Sequence, residues 1–293
     1  MLRIQAIQDP DAPVLRPYRQ MRKMTDTHGQ GLFVAEGHKV VTRLVESPLK
    51  IHSVLLDATW MERLKAPLEA RHEQIDAFVT SKETIQALTG FGCFQAIKAV
   101  ASIPTPSTLE QLCKQGSHPR FLVAMDGLTS ADNVGAVVRS AVGFGADGLI
   151  VGPTCCPPYL RRAVHTSMGT LFNLPVHHAS VLADTLHELS ATGFRNIAAH
   201  PHADAELVEQ ASLKEDICIV MGSEGEGLSA SVLQACESSV MIPMAKGTDS
   251  LNVASAASVF FYEVMRQRQG NKGGEIPGSL LKFLLQEGPY LLS

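Results

Sequence analysis

The 293-residue sequence has six cysteines (Cys93, Cys113, Cys155, Cys156, Cys218 and Cys236) but no CxxC pair among them. Cys155 and Cys156 are adjacent, and neighbouring cysteines rarely bridge each other. The spacing therefore describes free thiols in a reducing compartment, and a cytoplasmic protein is expected. Long hydrophobic runs are also missing. No window approaches the roughly 18 unbroken apolar residues of a membrane span, and mean hydropathy is only +0.08, so no membrane partner is expected. The opening residues, MLRIQAIQDPDAP, lack the apolar core and the small-residue cleavage site of a signal peptide. Positive charge is in deficit as well. A net charge of −4 excludes a protein that coats nucleic acid through bulk electrostatics. No internal repeat is evident.

What is present is a core-forming composition, 45 % apolar, over a length that suits one large domain or two smaller ones. The charge is uneven. Residues 1–116 hold 14 Lys/Arg and 12 Asp/Glu, leaving 11 and 17 for the remainder. Within the first part, RPYRQMRK carries Arg16, Arg19, Arg22 and Lys23 with no acid among them. Such a run is either a solvated helix face or a local phosphate-binding patch.

From Gly31 the chain alternates strand-like and helix-like segments. GLFVAEG, IHSVLL, DAFVTS and FQAIKAVASI read as strands; HKVVTRLVES, ATWMERLKAPLEARHEQ and KETIQALTG read as helices, the second broken near Pro67 and the third closed by Gly90. PTPSTLEQLCKQGSHPR, rich in Pro, Ser and polar residues, marks a boundary near 105–118. Beyond it the alternation is strict. FLVAMDG, GLIVG, LFNLPVHHA, RNIAAH, DICIVMG and SSVMIPM are strands, separated by the helices NVGAVVRSAVGFG, PYLRRAVHTSMG, VLADTLHELS and SASVLQAC. That order predicts an α/β fold with a parallel sheet and helices on both faces. The expected division is 1–116, 117–270 and a tail, 271–293, whose apolar residues must dock somewhere.

GFGADG (Gly143, Gly145, Gly148) fits the dinucleotide-binding pattern but follows a helix and precedes a strand, so it reads as a helix exit. His177–His178 and His200-x-His202 lack the i, i+4 spacing of helical metal ligands and have no cysteine suitably close, so no metal is expected. Ser223 in GSEG lacks the GxSxG elbow of a nucleophilic serine. Three segments are polar where the carboxyl edge of a parallel sheet should carry function. AMDGLTSADNVGAVVRSA places Asn133 at a helix start and Arg139 six residues on, as a surface arginine or a functional one. VMGSEGEGLSASV alternates glycines and acids, with Glu224 between Gly222 and Gly225. KGTDSLNVASAASVF has turn chemistry at Gly247 to Ser250 and then a polar cluster, Thr248, Asp249, Ser250 and Asn252, too large for one helix cap.

Together these segments resemble the SpoU-type RNA 2′-O-ribose methyltransferases (TrmH family) of the SPOUT superfamily. The first motif matches at Asp126, Asn133, Gly135 and Arg139. The second matches at Gly222, Glu224, Gly225 and Gly227, and the third at Ile242, Pro243, Met244, Ser250, Leu251, Asn252 and Ala254. RRAVHTSMGTLFNLPV fits the family's connecting segment at Ser167 and Gly169, and FVAEGHKVV is similar to its N-terminal domain. His165 stands where an Arg is usual, and Ala96 where a glycine is usual.

The resemblance implies a deep trefoil knot in the C-terminal domain, preceded by a small L30e-like α/β domain that binds RNA. It implies S-adenosylmethionine as cofactor, held by Gly222, Ile242 and Leu251, and a structured tRNA or rRNA as substrate. Arg139 would orient the ribose 2′-hydroxyl, itself positioned by Asn133, Glu224, Ser250 and Asn252. Small residues after Asn252 would let the last helix pass close to neighbouring backbone. Arg16, Arg19, Arg22, Lys23 and His165 would contact RNA, and a homodimer would complete the site. The competing expectations are an RNA-binding SPOUT protein without methyl transfer, which the intact motif set disfavours, and a small-molecule α/β enzyme, which leaves the N-terminal part unexplained.

Overall fold

The computed structural model describes residues 1–19, 28–89, 97–116, 118–201, 205–245 and 250–269. Arg22, Lys23, Gly90, Cys93, Ala96, His202, Gly247, Thr248, Asp249 and the tail 271–293 lie outside the described residues.

Two sheets organise the chain. The first contains β1 (Leu2–Ala6), β2 (Leu32–Glu36), β3 (Ile51–Leu56), β4 (Ile75–Val79) and β5 (Ile97–Ser102), in the order β1-β4-β3-β5-β2. β1, β4 and β3 run parallel, whereas β5 is antiparallel to both β3 and β2. Its helices are α1 (His38–Glu46), α2 (Ala58–Glu69) and α3 (Lys82–Thr89). α1 buries Val40, Val41, Leu44 and Val45, the i, i+3, i+4 stripe of an amphipathic helix. Asp57 caps α2 by accepting from the Trp60 amide at 2.9 Å. α2 runs unbroken through Pro67. The proline lies two residues from the helix end and forfeits one backbone hydrogen bond of the ladder. RPYRQMRK does not begin as a helix face: Pro13–Tyr18 is a 3-10 turn with Pro17 inside it.

The second sheet has seven strands, all parallel, in the order β10-β12-β9-β11-β6-β7-β8. They are β6 (Phe121–Met125), β7 (Gly148–Val151), β8 (Val176–His178), β9 (Arg195–Ala199), β10 (Glu206–Leu207), β11 (Ile217–Met221) and β12 (Ser238–Met241). The helices are α4 (Leu109–Lys114), α5 (Ala131–Gly143), α6 (Arg161–Thr166), α7 (Leu182–Ala191), α8 (Ala230–Gln234) and α9 (Val253–Gln269). β6 and β11 are buried along their whole length, as strands covered on both faces must be. Alternate side chains serve the two faces. Phe121, Val123, Ile217 and Ile219 join the core that holds Val134 of α5 and Phe261 of α9. Leu122, Ala124, Cys218 and Val220 pack with Leu112 of α4, Leu186 of α7 and Val232 of α8.

The segment expected as one strand, LFNLPVHHA, divides into a 3-10 turn (Thr170–Asn173) and the three-residue β8, because Pro175 stands between them. α6 is shorter than its sequence segment. Glycine has a steric reason at Gly135, where a Cβ would meet the Ala163 carbonyl oxygen at 2.5 Å and Thr166 Cβ at 2.8 Å. This residue sets how closely α5 approaches α6. Gly145 takes φ +84° just past α5, as a helix exit requires, so GFGADG meets no helix N-terminus. Among the described residues no helix is long and apolar enough to cross a membrane.

Candidate active site

The loops that leave the carboxyl ends of β9, β11 and β12 converge with the start of α9. They enclose a cavity of about 310 Å³. Ligands of open parallel sheets bind at this edge because the strands end there and their loops are free to diverge. The cavity walls include Gly222, Glu224 and Gly225 after β11, Ile242 and Met244 after β12, and Ser250 and Leu251 before α9. Met221, Val240, Met241, Val253, Ala256 and Phe260 make its body apolar. Gly222, Ile242 and Leu251, expected around a cofactor, thus lie on one cavity, and Ser250 shares it.

The loop after β11 is folded back on itself. Ser223 and Gly227 exchange two backbone hydrogen bonds of 3.0 Å. A Cβ on Gly222 would sit 2.6 Å from the Gly227 carbonyl oxygen and from the Leu228 nitrogen. Gly222 is therefore demanded by the loop's own backbone, whereas Gly225 has nothing within 4 Å of its added Cβ. Asp126, at the end of β6, is buried and accepts from the Ser229 amide at 2.8 Å. It closes the loop from behind instead of lining the cavity.

At the cavity mouth three distant stretches are joined by side chains. Asn133 Nδ2 donates to Glu224 Oε2 at 3.0 Å. Asn252 Nδ2 donates to Asn133 Oδ1 at 3.1 Å and also to Glu224 Oε1. The Val253 amide reaches Glu224 Oε1 at 3.3 Å, and Asn252 Oδ1 caps α9 by accepting from the Ala254 amide at 3.0 Å. A carboxylate thus faces the N-terminus of a 17-residue helix, where the helix dipole favours negative charge. Asn252 therefore serves as more than a cap: it binds both other segments. Ser130 caps α5 weakly, through the Asn133 amide at 3.4 Å.

Arg139 is not brought into this network. It is exposed on α5 and has no hydrogen-bond or ion-pair partner among the described residues. Within one chain Asn133, Glu224 and Asn252 bond one another and not Arg139, for a geometric reason. Six residues advance an α-helix by about 600°, well short of two turns, so Arg139 leaves α5 on a different side from Asn133. Its neighbour Ser140 faces α9 and hydrogen-bonds Ser258 at 2.9 Å.

Beside the network, Asp132 accepts from Arg162 Nε at 2.6 Å and from Thr166 Oγ1 at 3.2 Å. The Arg162 hydrogen bond holds its carboxyl below the usual range. His165 is exposed on the same short α6. Arg16 is exposed on the 3-10 turn. The Arg19 guanidinium is paired with Asp11 at 2.6 Å and with the Pro10 carbonyl at 2.9 Å.

Ala199, which ends β9, and His200 and Pro201, which follow it, line the same cavity and were not expected there. Their signal was HPHAD directly after an apolar strand, the same polar-after-strand pattern as the other motifs. Among the described residues the acids on the cavity wall are Glu224 and Glu226, and no Lys or Arg lines it. An apolar body with acids at its mouth suits a ligand with a flat or aliphatic body and a cationic group. It does not suit a pyrophosphate.

Residues 120–262 match the SpoU rRNA methylase family model. An uncharacterised tRNA/rRNA methyltransferase of Mycobacterium tuberculosis is 33 % identical over 95 % of this chain and 96 % of its own. The crystal structure of an RNA 2′-O ribose methyltransferase, 25 % identical, superposes with a TM-score of 0.71 over 92 % of this chain and 99 % of that one. The AdoMet-bound rRNA methyltransferase of Sinorhizobium meliloti, 23 % identical, shares the fold with a TM-score of 0.78, covering 90 % of this chain and 98 % of that one.

Proposed function

The chain belongs to the SpoU rRNA methylase family, and from that premise we propose that it transfers a methyl group from S-adenosylmethionine to a ribose 2′-hydroxyl of structured tRNA or rRNA. One observation carries the reading. Asn133, Glu224 and Asn252, from three separate segments, meet by hydrogen bonds at the mouth of a cavity lined by Gly222, Ile242 and Leu251.

The cavity fits the cofactor on chemical grounds: apolar walls would take its body, and the acids Glu224 and Glu226 would favour its positive charge. When bound, S-adenosylmethionine supplies a methyl on a sulfonium that is already a good leaving group, so the protein's work is to position and polarise. The backbone at Gly222, Ile242 and Leu251 holds the cofactor. Asn133, Glu224 and Asn252 lock one another and so fix the loops around the incoming ribose, with Ser250 beside them. Such positioning contributes on the order of 7–11 kcal/mol of barrier lowering in well-oriented systems.

Arg139 orients the 2′-oxygen and stabilises negative charge as it develops. A guanidinium stays protonated, so the proton passes to water or to a substrate phosphate. Arg139 points away from the network of its own chain, which favours a homodimer in which the arginine of one copy serves the cavity of the other. The exposed Val259 and Tyr262 of α9, 38 % and 50 % accessible, offer apolar surface for that contact. Sedimentation should show a dimer at micromolar concentration; a fully active monomer would end this part of the reading.

The same reading assigns RNA binding to residues 1–116, as an L30e-like unit, with Arg16, Arg19, Arg22 and Lys23, joined by His165 of α6, meeting phosphates. Methyl transfer falls to residues 117–270, with a trefoil knot near α9. Support for the knot is the lodging of the α9 N-terminus between Asn133 and Glu224.

The deciding experiment incubates the protein with methyl-labelled S-adenosylmethionine and unmodified tRNA and rRNA transcripts. Label should appear at one ribose. A transcript with a single 2′-deoxy nucleotide at that position should bind and accept none; if it is still methylated, the target is a base and the ribose assignment fails.

A further inference from the structure

Lys98 lies on β5, an interior strand of the first sheet, and its side chain is 0 % exposed. Burying an ammonium group costs several kcal/mol even when it is paired. Its partner is Glu36 at the end of β2, whose Oε1 accepts from Lys98 Nζ. The same carboxylate takes both arms of Arg161, Nη2 on Oε1 and Nε on Oε2. Burial pushes the Glu36 carboxyl up, but Arg161 and Lys98 outweigh it and hold the pKa at about 2. Two backbone contacts extend the cluster. Arg161 Nη1 donates to the Arg19 carbonyl at 3.3 Å, and Lys98 Nζ lies 3.5 Å from the Tyr18 carbonyl oxygen.

This cluster is a poor device for stability alone. Apolar residues of similar volume would hold the same elements as well or better. Arg161 is also the first residue of α6, where a cation opposes the helix dipole. What the cluster does supply is direction, because two antiparallel strands, the end of the 3-10 turn and one helix start are fixed to a single carboxylate. The next residue along α6, Arg162, holds Asp132, and Asp132 adjoins Asn133 of the network at the cavity mouth. The first sheet is thereby tied to the candidate active site through two consecutive arginines.

We propose that Glu36 is a positioning residue: with Lys98 and Arg161 it fixes the angle at which the first sheet meets α6, and so sets where RNA held on that sheet enters the methyl-transfer cavity. This rests on the RNA methyl-transfer reading given above.

The test replaces the buried pair by apolar residues in the full chain, Glu36→Leu with Lys98→Met. The melting temperature should change little, because Arg161, which loses its carboxylate, is part exposed and can turn to water. Binding of S-adenosylmethionine, followed by calorimetry, and of an unmodified tRNA or rRNA transcript should change less than about threefold, while kcat for methyl transfer falls on the order of 10- to 100-fold, the loss typical of a misplaced substrate. A purely structural role predicts activity that follows stability, so a stable double variant with wild-type kcat overturns the inference. If the double variant fails to fold, Arg161→Met decides, since it leaves the Glu36–Lys98 pair intact. The same loss of kcat is expected there, with partial recovery in Arg161→Lys, and full activity of Arg161→Met overturns the inference. Should wild-type protein methylate no transcript, the functional reading falls and the inference with it. That outcome is told apart because the unaltered protein then fails too.

Discussion

In the seven-stranded sheet two interior neighbours, β11 and β6, are buried end to end and carry no charged residue. In the five-stranded sheet an interior strand carries Lys98. The first arrangement places the polar residues that follow β6 and β11 at the carboxyl rim, where the ladder ends and loops of independent origin meet. Its chemistry is therefore confined to residues such as Glu224 and Asn252, which remain in contact with water. The second holds charge inside, where it acts on neighbouring elements and not on a ligand. Charge at a rim is available to a substrate; charge in a sheet is available to the architecture.

The largest effect should come from Arg139→Ala. The residue is exposed and unpartnered among the described residues, so melting temperature and cofactor affinity should hold. kcat should fall on the order of 10²–10³-fold, the scale for losing one group that stabilises developing charge. Lys should restore only part, because an ammonium lacks the planar fork. A kcat within a few-fold of wild type would show that the chemistry does not depend on the α5 surface.

Next is Gly222→Ala. A methyl group 2.6 Å from the Gly227 carbonyl oxygen must open the loop, at about 1–3 kcal/mol in strain. Calorimetry should find S-adenosylmethionine affinity reduced roughly tenfold or more, the equivalent of about 1.4 kcal/mol. Unchanged affinity would mean that this loop does not shape the cavity.

The interior charge gives a pH signature. The folded-state pKa of Glu36, about 2, lies below the roughly 4.3 of an unfolded chain. Its stabilisation is complete above the unfolded value and is lost as pH falls toward the folded one. Melting temperature should therefore drop more steeply between about pH 4.3 and 2 in wild type than in the Glu36→Leu, Lys98→Met double variant. Parallel curves would remove the contrast between the sheets. The smallest effect on stability is expected at the rim: Asn252→Ala removes a helix cap worth about 1 kcal/mol, readable as a shift in the urea midpoint, and also frees Glu224 and Asn133 from their shared partner.

The parallel sheet was legible because its strands are short apolar runs bounded by turns, and β6 and β11 needed nothing more. β1 was not, since LRIQA shows four exposed residues in five and is held mainly by pairing with β4, more than 70 residues away. β10 has two residues, below what any periodicity can reveal. At the site, Glu224 and Asn252 stood out as polar residues directly after strands, while the holding roles of Gly222, Ile242 and Leu251 came with the family resemblance. His200 and Pro201 were missed because their place depends on β9 lying between β11 and β12, a strand order that local pattern does not encode. The Glu36 cluster was invisible for a similar reason. Arg161 is 125 positions from Glu36, and a lysine in a strand ordinarily reads as a solvent-facing one.

The walls of the cavity arrive late in the chain. Met221, Val240 and Leu251 precede Val253 and Phe260, and these last two belong to the final described helix. A ribosome-bound chain that has not yet released α9 can form much of the parallel sheet yet lacks one side of the cavity and the Asn252 that joins its mouth. Since long-range contacts of this kind also form slowly, capacity to bind the cofactor should appear only after α9 has left the ribosome and docked. The nascent protein would then be inert toward the RNA that surrounds it while it is being made.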